Sequence, residues 1–260
     1  MPEIHSTAIV HPNAKIANSV KIGPYTIIED DVEIGENTII ANHCTIHSGV
    51  RFGKNNEVFA GAHLGADPQD LSFDRSIRTY TIIGDNNVFR EEANIHRGSL
   101  ADRPTKIGNH NYFMGSAHIG HDCVIGDHNI FTHSSVIAGH IHVGNHAFIS
   151  GLVGVHQFVH IGDYVMIGGL SKITKDIIPY SMADGNPSLI TGLNIVGLKR
   201  AGFTEQQRRT IKEIYKILFM RKLNIPKALE ALKNEPATPE VQNMIRFIES
   251  SKRGILTNRE

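Results

Sequence analysis

Hydrophobic positions in this chain recur every six residues. An aliphatic or aromatic side chain stands at Ile4, Val10, Ile16, Ile22, Ile28, Ile34, Ile40, Ile46, Phe52, Val58 and Leu64. The count breaks there and resumes at Ile77, one residue out of frame. It then runs through Ile83, Phe89 and Ile95, past a weak Ala101, and from Ile107 to Ile173. A Gly, Ala or polar residue often follows the anchor, with Asn or Asp next, as in Gly126-Asp127 and Gly162-Asp163. Four places after the anchor comes a small or β-branched residue such as Ala14, Val20, Thr26, Cys44 or Cys123. A fixed short period of this kind means a solenoid. Each six reads as a short strand carrying one inward anchor, ended by a tight turn.

Three such sides close a triangular coil of eighteen residues. The pattern resembles that of hexapeptide-repeat proteins, and the resemblance implies a left-handed parallel β-helix, against the usual right-handed crossover. Counting every frame, Ile77 and Ala101 included, predicts about nine coils and a prism on the order of 45 Å long. The stretch from Gly65 to Ser76 carries no anchor and should leave as a loop, often a sign of the binding face. Ser99 to Pro104 stays in frame but contains Asp-Arg-Pro, and predicts a smaller loop. The period fails at Pro179-Tyr180. Beyond it, Thr204 with Gln207 makes a capping box, and Ile211, Ile214, Tyr215, Leu218 and Phe219 share one helical face. Pro226 to Lys233 predicts a second helix. Thr238-Pro239 opens another, with Gly254 as its stop. The chain therefore divides into a mainly β domain, 1–189, and a helical domain, 190–260, that covers the strand edge at the end of the prism.

Composition narrows the function. Acidic and basic residues balance at 26 each, which argues against a nucleic-acid partner, whose footprint is a basic excess. No apolar run is long enough to span a membrane. Met1-Pro2-Glu3-Ile4-His5 enters the repeat at once, without the layout of a secretory signal, so a cytoplasmic protein is expected. Cys44 and Cys123 fall on the inward small positions and read as packing thiols. The helical segment is locally basic: Lys199, Arg200, Arg208, Arg209, Lys212, Lys216, Arg221 and Lys222 stand against Glu205 and Glu213. That is either a solvated helix face or a dock for an acidic partner or a phosphate.

Sixteen histidines is a high share, and most occupy turns. The frame singles out a few. Ile119, Ile137 and Val155 are eighteen apart, so His121, Gly139 and Gln157, each two places further on, should stack in one column. His118, His140 and His156 flank it. Two chemistries suit such a cluster. His121 could act as general base with Asp122 orienting its ring and the Gly139 amide donating to an oxyanion, a set made for acyl transfer to a hydroxyl or amine. Alternatively, three histidines could hold zinc with one open position, as in trimeric β-helix carbonic anhydrases.

His118-Ile119-Gly120-His121-Asp122-Cys123, Ala138-Gly139-His140, His156-Gln157-Phe158 and Asn194 through Gly197-Leu198-Lys199-Arg200, in this order, resemble the UDP-N-acetylglucosamine acyltransferase family. The resemblance covers the whole chain. It implies the first reaction of lipid A synthesis, in a homotrimer with clefts between prisms. The acyl chain comes as the phosphopantetheine thioester of acyl carrier protein and goes to the 3-position of the sugar nucleotide, with no metal and no further cofactor. It implies His121 as base, Asp122 as its partner and Gly139 as oxyanion donor. Gln69, Asp70, His118, His140, His156 and Gln157 would line the sugar and pantetheine site. Asn194 and Arg200 would hold the nucleotide, and Met166 and Gly169 would form the acyl-chain ruler. Two positions depart from the family pattern: Ser72 where a lysine is usual, and Val196 where a glutamate is usual. Both lie among the implied acceptor contacts, and they predict an acceptor with an amine at the 3-position. The N-acyltransferase of the same pathway usually carries an extra N-terminal domain for which the repeat, starting at Ile4, leaves no room. Acetyl-CoA-dependent hexapeptide acetyltransferases lack the His-Gln-Phe and Gly-Leu-Lys-Arg set.

Overall fold

The computed structural model describes residues 1–258. Between Glu3–Ile4 and Lys172–Ile173 the chain forms 26 short strands, which wind into a left-handed parallel β-helix of three faces. Strands eighteen residues apart pair in parallel register, as in Ile22↔Ile40 and Ile119↔Ile137↔Val155. The anchors point inward and are buried: Ile28, Ile46, Phe89, Ile119 and Ile137 are each exposed by 1% or less. Phe89, Phe113 and Phe131 stack face to face along the first face, 4.9 and 4.8 Å apart. Inside one corner Asn56, Asn87, Asn111 and Asn129 form a buried ladder. Each later amide of the ladder bonds the side-chain oxygen of the one before it, so no coil has to bury an unpaired amide there.

The corners account for five of the sixteen histidines. The third residue after the anchor takes a left-handed conformation in coil after coil, as at Asn37 (φ 57°), His128 (58°) and His140 (61°). Asn, Asp and His tolerate this region better than most side chains. His43, His110, His128, His140 and His146 all occupy such corners, and His110, His128 and His146 stack on one another at 4.7 Å.

Two of the frames counted from sequence are not strands. Ile83, not Ile77, is the residue that pairs with Phe52, so the first loop extends through Ile77, which lies half-buried within it. Ile107 pairs with Ile83 across 24 residues rather than eighteen, so the segment around Ala101 is a six-residue insertion that happens to preserve the count. Both loops leave the prism at the same corner, between the second face (strands His63–Ala66 and Asn94–His96) and the third (Thr81–Ile83 and Thr105–Ile107).

At the end of the prism Ser181–Gly185 adds a parallel strand to the first face, and Ser188–Leu193 returns antiparallel. The division drawn at 189/190 therefore falls inside a strand. The helices follow: α1 (Ile195–Arg200), α2 (Glu205–Phe219), α3 (Ile225–Lys233) and α4 (Pro239–Ser250). The Thr204–Gln207 capping box is present, and Ile211, Ile214, Leu218 and Phe219 are buried as expected, joined by Ile217, while Tyr215 is only half-buried. α4 ends at Ser250, four residues before Gly254. The helices are fastened to the last coil. Phe203 packs on the rings of Tyr164 and Tyr180, and Asn243 Nδ2 donates to Asp163 Oδ2 at 3.0 Å and the Tyr180 hydroxyl at 2.9 Å. No helix among the described residues is long and apolar enough to cross a membrane.

Candidate active site

The corner that releases both loops also carries the histidine cluster. His121 and Asp122 turn between the strands His118–Ile119 and Val124–Ile125. One coil on, Gly139 and His140 make the same turn, then Gln157 and Phe158. The His140 amide donates to the His121 carbonyl at 2.9 Å, and the Phe158 amide to the Gly139 carbonyl at 3.3 Å, so the column expected from the eighteen-residue register is present.

His121 Nδ1 lies 2.6 Å from Asp122 Oδ2. The other carboxylate oxygen accepts from the Ser99 amide at 2.9 Å, and the Asp122 amide donates to Thr105 Oγ1 at 2.9 Å. Burial alone would raise the Asp122 pKa, but the hydrogen bonds from His121 and Ser99 outweigh it, and the carboxyl is held below its ordinary value. An ionised Asp122 facing Nδ1 fixes the tautomer with its proton on Nδ1 and leaves Nε2 free to accept one. The ring of His121 meets that of His140 edge-on at 4.9 Å, and His140 lies flat on Phe158 at 4.6 Å.

Gly139 sits directly against the His121 ring. A Cβ built on it would be 2.7 Å from both Cε1 and Nε2 of His121. Its amide donates to no acceptor among the described residues, which leaves it available as an oxyanion donor. His118, on the second face, packs against His96 with ring centroids 5.0 Å apart. Burial, with His96 beside it, pushes its pKa down to about 4, so it is neutral near pH 7. Burial also lowers His140, with Asp122 opposing. Asp70 is exposed on the first loop, where both the amide and the hydroxyl of Ser72 donate to its Oδ1 at 2.8 Å. These bonds hold the carboxyl below its ordinary value, and His121 and His140 act on it electrostatically. Gln69, His156 and Gln157 are exposed around the same corner.

The remaining expected residues lie elsewhere on the prism. Asn194 caps α1, accepting from Gly197 N at 3.0 Å, and its Nδ2 donates to the Tyr164 carbonyl at 2.9 Å, at the corner between the third and first faces. Arg200 is exposed at the end of α1. Met166 projects from the first face, and Gly169 turns between the first and second. One chain thus does not gather all of these residues into one pocket. Within the basic helical segment, Arg209 is paired to Glu205 at 2.5 Å and Lys216 to Glu213 at 2.7 Å, so part of that excess is an ordinary paired helix surface.

Cys123 is buried, its thiol pushed up to about 12 by desolvation, in keeping with a packing role. Among the described residues, the group with metal-ligand spacing is His121, Asp122 and His140, whose ligand atoms lie within 4.8 Å of one another. It is a two-histidine, one-carboxylate set, because His118 turns to His96 instead. Sequence reasoning does not reach Ser99 and Thr105, which hold Asp122, and it quotes Phe158 in a motif without its role, which is to support His140. Phe158 is eighteen residues after His140 and was findable from the register. Ser99 and Thr105 flank an insertion whose path the period does not encode.

Comparison with known proteins places the whole chain. A family model described as UDP N-acetylglucosamine O-acyltransferase, domain 2, matches residues 176–256, and one for bacterial transferase hexapeptide repeats matches 13–48 and 104–139. The acyl-[acyl-carrier-protein]--UDP-N-acetylglucosamine O-acyltransferase of Akkermansia muciniphila is 53% identical over 98% of this chain and 99% of its own, and that of Chlorobaculum tepidum 54% over 96% and 95%. Among solved structures, the UDP-N-acetylglucosamine O-acyltransferase of Moraxella catarrhalis superposes with a TM-score of 0.94 at 42% identity, covering 97% of this chain and 99% of the other. The likeness spans the prism, the loops and the helices together, and by it the chain belongs to the UDP-N-acetylglucosamine O-acyltransferase family.

Proposed function

We propose that the chain moves an acyl chain from the phosphopantetheine thioester of acyl carrier protein to the 3-position of a UDP-N-acetylglucosamine-type sugar nucleotide, opening lipid A synthesis. The observation that carries the mechanism is the His121–Asp122 pair, 2.6 Å apart, beneath the unengaged amide of Gly139. His121 Nε2 takes the proton from the acceptor as its oxygen or nitrogen attacks the thioester carbonyl. The Gly139 amide receives the negative charge that forms on the carbonyl oxygen. The tetrahedral species collapses, the carbon–sulfur bond breaks, and the imidazolium returns its proton to the leaving thiolate. The attack is direct, so no enzyme nucleophile is needed and Cys123 stays a packing residue.

Asn194, Arg200, Met166 and Gly169 act in this site when a neighbouring copy supplies them, and we place the reaction in a homotrimer in the cytoplasm. Two observations support the assembly. Those four residues lie away from the catalytic corner. And the first face carries outward a stripe of half-buried Val88, Tyr112, Ile130, Phe148 and Met166 on successive coils, an apolar surface suited to another copy. Sedimentation should give a single trimeric species; a stable monomer with full activity would refute the shared site.

The acceptor is tested by a paired assay, with one acyl donor and two UDP-sugars that differ only in a 3-hydroxyl or 3-amino group. Ser72 spends both its donors on Asp70, where the family's lysine would be a free cation, and Val196, 61% exposed, brings no charge. The uncharged Ser72 in place of a cation eases the approach of an ammonium, and a neutral amine is the stronger nucleophile, so faster turnover of the amino sugar is expected. Faster turnover of the hydroxyl sugar would end the amine reading, and product from neither would end the acyl-transfer reading.

A further inference from the structure

The first loop leaves the prism after the strand His63–Ala66 and returns at Thr81–Ile83. It has no strand or helix of its own, yet it is folded. Two Asp-x-Ser turns make up its outer part. Asp70 Oδ1 accepts from the amide and hydroxyl of Ser72, and Asp74 Oδ1 accepts from the amide and hydroxyl of Ser76 at 2.9 and 2.7 Å. The Phe73 amide donates to the Asp70 carbonyl and the Ile77 amide to the Asp74 carbonyl, each at 3.1 Å. Short-range bonds of this kind fix the shape of the tip. They do not fix where the tip stands relative to the prism.

That placement falls to Arg97, the residue after the strand Asn94–His96. Its side chain is only 14% exposed. Nη2 donates to Asp67 Oδ1 at 2.7 Å on the outgoing limb of the loop. The guanidinium lies 5.6 Å from the ring centre of Phe73, beyond the tip. One cation therefore grips the loop on both sides of residues 68–72, the stretch that carries Gln69 and Asp70. The root of the loop is held as well. The Arg97 amide donates to the Ala66 carbonyl at 2.9 Å, and His96 Nδ1 donates to the Asp67 carbonyl at 2.5 Å. Arg97 also opens the second loop, where the amide of Ser99, two residues on, holds Asp122. The first loop and the catalytic pair thus share one short segment of support. The other clasps are looser. Arg75 reaches Asp67 Oδ2 at 3.4 Å, and Arg78, which is 60% exposed, ties the returning limb to Asp31. Exposed pairs of that kind contribute little.

At the tip, Asp70 commits one oxygen to Ser72. Among the described residues its Oδ2 has no hydrogen-bond partner, and His121 and His140 act on its charge. We infer that Arg97 is a positioning residue for the acceptor: by gripping both limbs of the first loop it sets where the free oxygen of Asp70 stands, and so the affinity for the sugar nucleotide. The inference rests on the acyl-transfer reading above, in which Asp70 is an acceptor contact. A loop already held in its binding position loses little freedom when the sugar arrives. Without Arg97 the two turns would swing from the ends of the loop, and ordering them would count against binding.

The full-length protein is assayed with each substrate varied in turn, and its affinity for the UDP-sugar is measured separately by calorimetry. Arg97→Gln should raise both the KM and the Kd for the UDP-sugar about tenfold or more, the scale of a lost hydrogen bond to a charged group. The KM for the acyl carrier protein thioester should stay native. Arg97→Lys keeps a cation between Asp67 and Phe73 and should recover most of the affinity. Phe73→Leu leaves the ion pair in place and should show the same split at about two- to fivefold. Phe73 lies outside the buried core, so this variant carries the test if Arg97→Gln does not fold. Unchanged UDP-sugar affinity in the variants that fold overturns the proposal. So does an equal loss toward both substrates that tracks a fall in melting temperature, which would make Arg97 structural only. Product from neither UDP-sugar with the native protein would sink the acyl-transfer reading instead, and that result needs no variant.

Discussion

Replacing His121 with alanine should lower kcat by about 10²–10⁴-fold, the usual cost of losing a positioned general base. The fold should survive. The ring lies outside the anchor column, and Asp122 keeps its bonds from the Ser99 amide and to Thr105 when the imidazole is gone. Single-turnover kinetics alongside thermal melting separates the two effects: a large loss of rate with a small shift in melting temperature is the expected pair. A melting temperature that fell in step with activity would assign His121 to structure. The same preparation addresses metal chemistry. Since His121, Asp122 and His140 could together offer three ligands, loss of activity with a chelator and its return with zinc would replace the acid–base account by a metal-centred one.

Gly139→Ala should cost about 10²–10³-fold in kcat, on the scale of a lost oxyanion donor, although it adds only a methyl group. That methyl would lie 2.7 Å from Cε1 and Nε2 of His121, closer than nonbonded atoms tolerate. Neither partner can easily retreat. The imidazole is held at Nδ1 by Asp122, and the backbone is held by the His140 amide on the His121 carbonyl and the Phe158 amide on the Gly139 carbonyl. The ring must swing, and Nε2 leaves the line between acceptor and thioester. The loss should appear in kcat more than in the KM for either substrate, because the binding residues around the corner are untouched. A variant with native kcat would show that the placement of the His121 ring does not depend on the missing side chain at this position.

Much of this could be read before any coordinates. The six-residue period fixed which side chains face inward, and its eighteen-residue multiple brought His121, Gly139 and Gln157 into one column although they are far apart in sequence. It did so because a solenoid has local rules: each coil pairs only with the next, so register in sequence is register in space. The same register contained Phe158 beneath His140. The helix caps at Thr204 and Thr238 were equally local, set by hydrogen bonds within three residues.

The period could not decide what depends on strand partners. Ile77 and Ala101 kept the count or nearly kept it, yet both lie in loops, because an isoleucine in a loop has the same chemistry as one in a strand and only pairing tells them apart. That these two loops leave at one corner, and that the second supplies Ser99 to join Thr105, at the start of the next strand, in holding Asp122, follows from insertions whose path no repeat encodes. The placement of Asn194 beside Tyr164, away from His121, was likewise undetermined, since it lies beyond the last regular coil. So was the stapling of Lys252 and Arg253 to the third face by Asp176. The sequence by itself thus determined the prism, its inward column and the stacking of His121 with Gly139 and Gln157, all products of short-range repetition. The tertiary structure decided which corners the loops, the helices and the C-terminal segment serve, because those contacts join residues that no period relates.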